Sequence, residues 1–236
     1  MLAFSRRFSA VLVLIAGLVA ASPSLFAEEP DDQALLENLT QLKGRLETAR
    51  ELVRLGKSDF AVERHLGKNL GGRYARIAPE LEARKLPGFE DDLEKIVADA
   101  KSSASFDPAL DKIIAKIDAV ENSIPADKLK SPKFLGAVLV ALVEHSAIDY
   151  EAALADGKIK IVKEFEEVYG YDRATLALWN KRLKPALGDK ASPALAAAFA
   201  KLEKAVPSPV APAKIDLTPA AFNEIAATIK TEAAKL

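Results

Sequence analysis

Apolar residues return at helical intervals along most of the chain. Leu35, Leu39, Leu42, Leu46, Ala49 and Val53 follow a four-three-four-three-four spacing, which lines one face of a helix. Leu110, Ile113, Ile114, Ile117 and Val120 repeat the pattern, and so do Ile161, Val162, Phe165, Val168 and Tyr169. Between these seams the polar positions are largely charged, as expected of helices that turn one face to a shared core and the other to water. β-Branched alternation never runs beyond a few residues and no Asn-Gly pair appears, so strands are not expected.

The helix starts are punctuated in one way. Asp107-Pro108, Ser131-Pro132, Ser192-Pro193 and Thr218-Pro219 each place a capping oxygen before a proline suited to the first turn. The pattern predicts helices over 31–56, 58–68, 72–85, 89–104, 107–123, 131–155, 159–186, 192–205 and 218–235. The fold class is all-α, a helical bundle. The stretch "SIPADKLKSP" reads as a hinge between an N-terminal half, 28–124, and a C-terminal half, 131–205. The Pro/Ala-rich residues 206–217 read as a linker to a last helix, 218–236. Shifted by ninety positions, "LVRLGKSDFAVERHLGK" lies over "LVEHSAIDYEAALADGK" without a gap, which raises an old duplication and two pseudo-symmetric halves.

Residues 1–27 read as a cleaved secretory signal peptide: Arg6 and Arg7 precede an apolar run shorter than a bilayer span, then Pro23 and a small residue at Ala27. The Arg6-Arg7 pair leaves both general secretion and twin-arginine export open. A periplasmic, soluble product is expected, with no membrane span after cleavage.

Composition narrows the chemistry. The formal net charge is −1, and no basic stripe interleaved with aromatics points to nucleic acid. There is no cysteine, and Met1 is the only methionine. Soft-ligand copper sites, iron–sulfur clusters and covalently attached c-type haem are therefore excluded. With two histidines and no Gly-x-Ser-x-Gly, phosphate loop or dinucleotide fingerprint, no nucleophile-base pair can be named, and a non-enzymatic protein is expected.

One stretch concentrates hard ligands. "HSAIDYEAALADGKI", His145 to Ile159, follows close on the apolar run "FLGAVLVALV". His145 and Asp149 stand one helical turn apart on one face, the spacing at which an imidazole and a carboxylate share a metal. Asp156-Gly157 is expected to end that helix, and antiparallel packing of the next would bring Asp149 or Tyr150 near Glu164. Oxygen-rich ligation suits Fe(III), Mn(II) or Ca(II), or Zn(II) with His145. The same residues also read as an ordinary helix end reaching water.

The run "DYEAALADGKI", followed at Glu164 by "EFEEVYGY", resembles the extracytoplasmic helical domain of the bacterial high-affinity iron permease family, with matching positions at Asp149, Tyr150, Asp156, Gly157, Lys158, Glu164 and Phe165. The N-terminal half is more loosely similar to imelysin-type iron-uptake proteins, through His65, Tyr74, Glu80 and Glu82. The permease's Arg-Glu-x-x-Glu motif and the imelysin His-x-x-Glu signature are absent. The resemblance implies a soluble companion of an iron-uptake system that binds Fe3+ or Fe2+ without haem and meets an inner-membrane permease or other protein partner. The metal ligands expected are Asp149, Tyr150, Asp156 and Glu164, at positions matching the family, together with His145 from its spacing to Asp149. The alternative is a periplasmic interaction module without metal.

Overall fold

The computed structural model describes residues 31–236, so the expected signal peptide lies outside the described residues. Helix α1 (Asp32–Arg54) is followed by three short helices, α2 (Ser58–Arg64), α3 (Lys68–Tyr74) and α4 (Ala78–Ala83), and then by α5 (Glu90–Asp99) and α6 (Ser103–Glu121). The second half holds α7 (Pro132–Ala153), a small hairpin of β1 (Leu154–Ala155) and β2 (Lys158–Ile159), α8 (Val162–Leu178), α9 (Lys184–Leu187), α10 (Pro193–Ala205) and α11 (Pro219–Ala233).

Helix α7 packs on α8 and α11, and α10 packs on the same two helices, closing a four-helix ring. Its interior is filled by Leu135, Val138, Leu142, Phe165, Phe199 and Phe222, all buried. Helix α1 lies along the outside of α8 and also meets α6 and α7. Its predicted seam is buried throughout, and so are Gly44, Arg45 and Thr48 on a second face. Helix α8 is thereby covered on two sides, which buries Glu166, Glu167 and Asp172 along with its apolar residues. None of the described helices is long and apolar enough to cross a membrane.

Three predicted caps form: Ser131, Ser192 and Thr218 accept from the backbone N–H of Phe134, Leu195 and Ala221. The fourth does not. Ser102 caps α6, and Pro108 sits inside that helix. Asp107 instead holds Arg54 at 2.9 Å, so an Asp-Pro pair tolerated within the helix took the appearance of its start. The expected 58–68 and 72–85 helices are broken into three, with Gly67 at φ 57° marking the break before α3 and Lys85 at φ 55° following the end of α4.

The expected absence of strands is also corrected. Asp156 and Gly157 have φ of 54° and 69°, and Leu154 pairs with Ile159 across them. Two successive positive φ values make the tight turn that twists with a hairpin, and Asp-Gly suits it as Asn-Gly does. The proposed repeat does not share a local fold. Residues 52–68 include the break at Gly56 and the short α2, whereas the positions ninety later continue through α7 into the hairpin. The predicted α8 seam shifts as well: Ile161 and Val162 are exposed, and burial begins at Phe165.

Candidate functional site

The C-terminal part of α7 and the first turns of α8 run side by side, joined by the hairpin. On α7, His145 and Asp149 share a face, with His145 Nε2 3.5 Å from Asp149 Oδ2. On α8, Glu164, Glu167 and Tyr171 recur at three and four residues and therefore also share a face. Carboxylate oxygens of Asp149, Glu164 and Glu167 lie within 4.8 Å of one another.

Two arginines from outside this helix pair reach the cluster's floor. Arg45 of α1 donates from Nη2 to Glu167 Oε2 at 2.6 Å and from Nε to the Tyr171 hydroxyl at 3.1 Å. Arg73 of α3 donates from Nη2 to the same hydroxyl at 3.0 Å, and its Nη1 donates to Gln41 Oε1. Tyr171 in turn donates to Glu167 Oε2 at 3.2 Å. Each Tyr171 and Glu167 Oε2 contact is thus chemically assigned: the phenol accepts twice and donates once.

Two oxygens are left over. Asp149 Oδ2 and Glu167 Oε1 are buried without a hydrogen-bond partner, although the Glu167 side chain is only 4% exposed and Lys163 Nζ stands 3.5 Å from its Oε1. Burial of unpartnered carboxylate oxygens is unfavourable unless a proton or cation meets them. Burial and the neighbouring Glu164 and Glu167 push the Asp149 carboxyl up to about 7. Burial, then the charge of Arg73, holds the His145 imidazole below its usual range, leaving a neutral ring suited to ligation. Burial pushes the Tyr171 phenol up to about 12, so it serves as a hydrogen-bonding strut with its proton in place.

Of the sequence-predicted residues, His145, Asp149 and Glu164 come together. Tyr150 does not join them. It stacks on Phe222 with ring centres 4.7 Å apart and donates to the Leu217 carbonyl at 2.7 Å, and burial pushes it up to about 12. It anchors the expected linker onto the bundle. Asp156 is an exposed residue of the hairpin turn, where positive φ accounts for it. Glu167 and Tyr171 were readable from their spacing with Glu164, whereas Arg45 and Arg73 carry no local signal because only tertiary packing brings them in.

The N-terminal residues singled out with His65 are dispersed. His65 is fully buried and pairs with Glu166 at 2.9 Å, on the α8 position next to Glu167, while Arg64 holds the other Glu166 oxygen at 2.6 Å. The Tyr74 hydroxyl accepts from the Phe89 N–H at 3.2 Å, Glu80 pairs with Arg84, and Glu82 is exposed. A separate groove of about 560 Å³ between α1, α6 and α8 is lined by ion-paired residues such as Lys43, Arg50, Glu121 and Arg182 and contains none of the cluster's carboxylates.

Residues 125–236 match the family model of the iron permease-associated 4-helix bundle domain. The match spans the α7–α8–α10–α11 ring and includes His145, Asp149, Glu164, Glu167 and Tyr171, but neither Arg45 nor Arg73. No curated protein and no solved structure matches the chain.

Proposed function

We propose that this chain, whose residues 125–236 form an iron permease-associated 4-helix bundle domain, is a non-enzymatic, exported component of an iron-uptake system that carries an iron ion as its cargo. Asp149, Glu164 and Glu167 supply hard oxygen ligands, and the neutral His145 imidazole stands beside them. The observation that carries this reading is the pair of buried oxygens that make no hydrogen bond, Asp149 Oδ2 and Glu167 Oε1, on two carboxylates that approach each other and Glu164 within 4.8 Å. Carboxylate with one imidazole is ligand chemistry suited to iron and to manganese. Tyrosinate ligation is not part of the proposal, since Tyr150 is engaged elsewhere and Tyr171 keeps its proton.

The periplasm is the compartment proposed, from the leader-like residues 1–27. A membrane permease is the proposed partner. The chain segments that carry the site also expose Ile148 and Ile161, at 65% and 48%, apolar surface of the kind a docking protein covers. This same observation supports the second reading, an interaction module without metal.

The test is a thermal titration of the metal-stripped protein with Fe(II) under anaerobic conditions, and with Mn(II), Zn(II) and Ca(II). A ligand that binds only the folded state raises the melting temperature. A rise with Fe(II) or Mn(II) that disappears in the Asp149→Asn/Glu164→Gln variant is expected. An unchanged melt with all four ions would leave the interaction module as the better account.

A further inference from the structure

Three carboxylates on a four-helix domain would by themselves favour the most highly charged cation on offer. This chain does not present them by themselves. Arg45 and Arg73, from helices that lie outside residues 125–236, stand against Glu167 and Tyr171 at 2.6 to 3.1 Å. Both residues are buried, at 8% and 7% exposure, and each is held by more than one contact, so neither swings away when an ion arrives. Lys163, the other cation near Glu167, is far more exposed and is screened by water. The N-terminal helices therefore build two fixed positive charges into the floor of the cluster.

A fixed charge acts on an incoming ion in proportion to that ion's own charge. Repulsion by a guanidinium is half as large again for a trivalent ion as for a divalent one, and so is the attraction of each carboxylate. Two permanent cations beneath three carboxylates reduce the field that gives trivalent ions their advantage, while leaving the free oxygens of Asp149, Glu164 and Glu167 as ligands. We propose that Arg45 and Arg73 set the charge selectivity of this cluster, favouring divalent over trivalent cations, an inference that rests on the cation-binding reading above. Within that reading the cargo is the ferrous ion, and the N-terminal helices act as a selectivity element laid against the four-helix domain. Arg45 and Arg73 are positioning residues in this account: Arg45 touches the ligand Glu167, and Arg73 touches Tyr171, which in turn donates to Glu167.

The test compares Mn(II) and La(III), neither of which changes oxidation state in the assay, by calorimetric titration of the full protein and its Arg45→Gln, Arg73→Gln and Arg45→Lys variants. With an effective dielectric of about 20 and a separation of about 7 Å, removing one guanidinium is expected to raise the preference for La(III) over Mn(II) by at least about tenfold. The ratio of the two dissociation constants is the readout, because a loss of packing weakens both ions alike, whereas reprotonation of Glu167 would lower the preference for La(III), a change opposite in sign to the one expected. Arg45→Lys, which keeps the charge, is expected to retain the wild-type ratio. Arg73→Gln serves if Arg45→Gln does not fold, since Arg73 makes no ion pair with Glu167. An unchanged ratio in folded glutamine variants that bind both ions overturns the inference and leaves the metal site standing. Binding of neither ion by the wild type removes the metal site, and the inference with it.

Discussion

The carbonyl oxygen of Gly44 occupies space that a side chain at position 170 would need: a Cβ on Gly170 would lie 2.2 Å from it and 2.2 Å from Thr48 Oγ1. Two glycines let α1 and α8 touch backbone to backbone, and Thr48 closes the contact by donating to the Gly44 and Glu166 carbonyls at 3.1 and 3.2 Å. Arg45 is the next residue along α1, so this crossing also delivers its guanidinium to Glu167. Gly170→Ala is expected to cost about 3 kcal/mol, the upper range for overpacking a close contact. Urea denaturation measures it, and an unchanged midpoint would mean that the helices do not cross this closely.

Tyr150 gives the opposite kind of expectation. Its hydroxyl holds the Leu217 carbonyl of the segment leading into α11, so Tyr150→Phe is expected to lose about 1 kcal/mol, the net value of one such hydrogen bond. Mn(II) affinity should stay within about twofold of wild type, as expected of a residue outside the ligand set. A large loss of affinity in the calorimeter would return this phenol to the site.

Asp172 governs a pH dependence. It is buried on α8, neither oxygen makes a well-formed hydrogen bond, and burial raises its carboxyl well above the ordinary value, outweighing the lowering by the neighbouring Ser146 hydroxyl and the charge of Arg173. The unfolded chain releases this proton more readily than the native one. The stabilising contribution is therefore complete below the unfolded value of 3.8 and is lost progressively as pH rises above it. Asp172→Asn removes that loss. The variant's melting temperature is expected to gain on wild type as pH rises above about 4.5, and parallel curves would show that Asp172 is solvated or paired.

Metal binding should carry its own pH signature. Asp149 holds its proton up to about 7 in the metal-free protein, and an ion can take its place only as that proton leaves. Below that value Mn(II) affinity is expected to fall by about tenfold per pH unit, one proton being displaced per ion. Glu164→Gln, which removes one of the charges that raise Asp149, should move the onset of this fall to lower pH. Calorimetry in buffers of differing ionisation enthalpy counts the protons released.

Periodicity made the long helices legible: the Leu35 to Val53 seam is buried as its spacing requires, and three of four Ser/Thr/Asp-Pro starts are caps. The His145–Asp149 spacing and its approach to Glu164 were equally local, needing only one turn of helix and an antiparallel neighbour. What escaped was non-local. The acidic positions Glu166, Glu167 and Asp172 read as a solvated helix face, and they are buried because α8 is covered on two sides, with Gly44 admitting α1 close against Gly170. Arg45 is 122 positions from Glu167, and no spacing rule connects them. Asp156-Gly157 was misread for a different reason, because an Asp-Gly pair serves both to stop a helix and to turn a hairpin.

The central claim is tested most directly by locating an ion. Crystals of the wild-type protein grown with Mn(II) and measured at the manganese absorption edge are expected to show an anomalous peak among the carboxylates of Asp149, Glu164 and Glu167, with His145 at its margin. A fully formed α7–α8 pair with no peak there, or with manganese bound only elsewhere, would contradict the metal-carrying account.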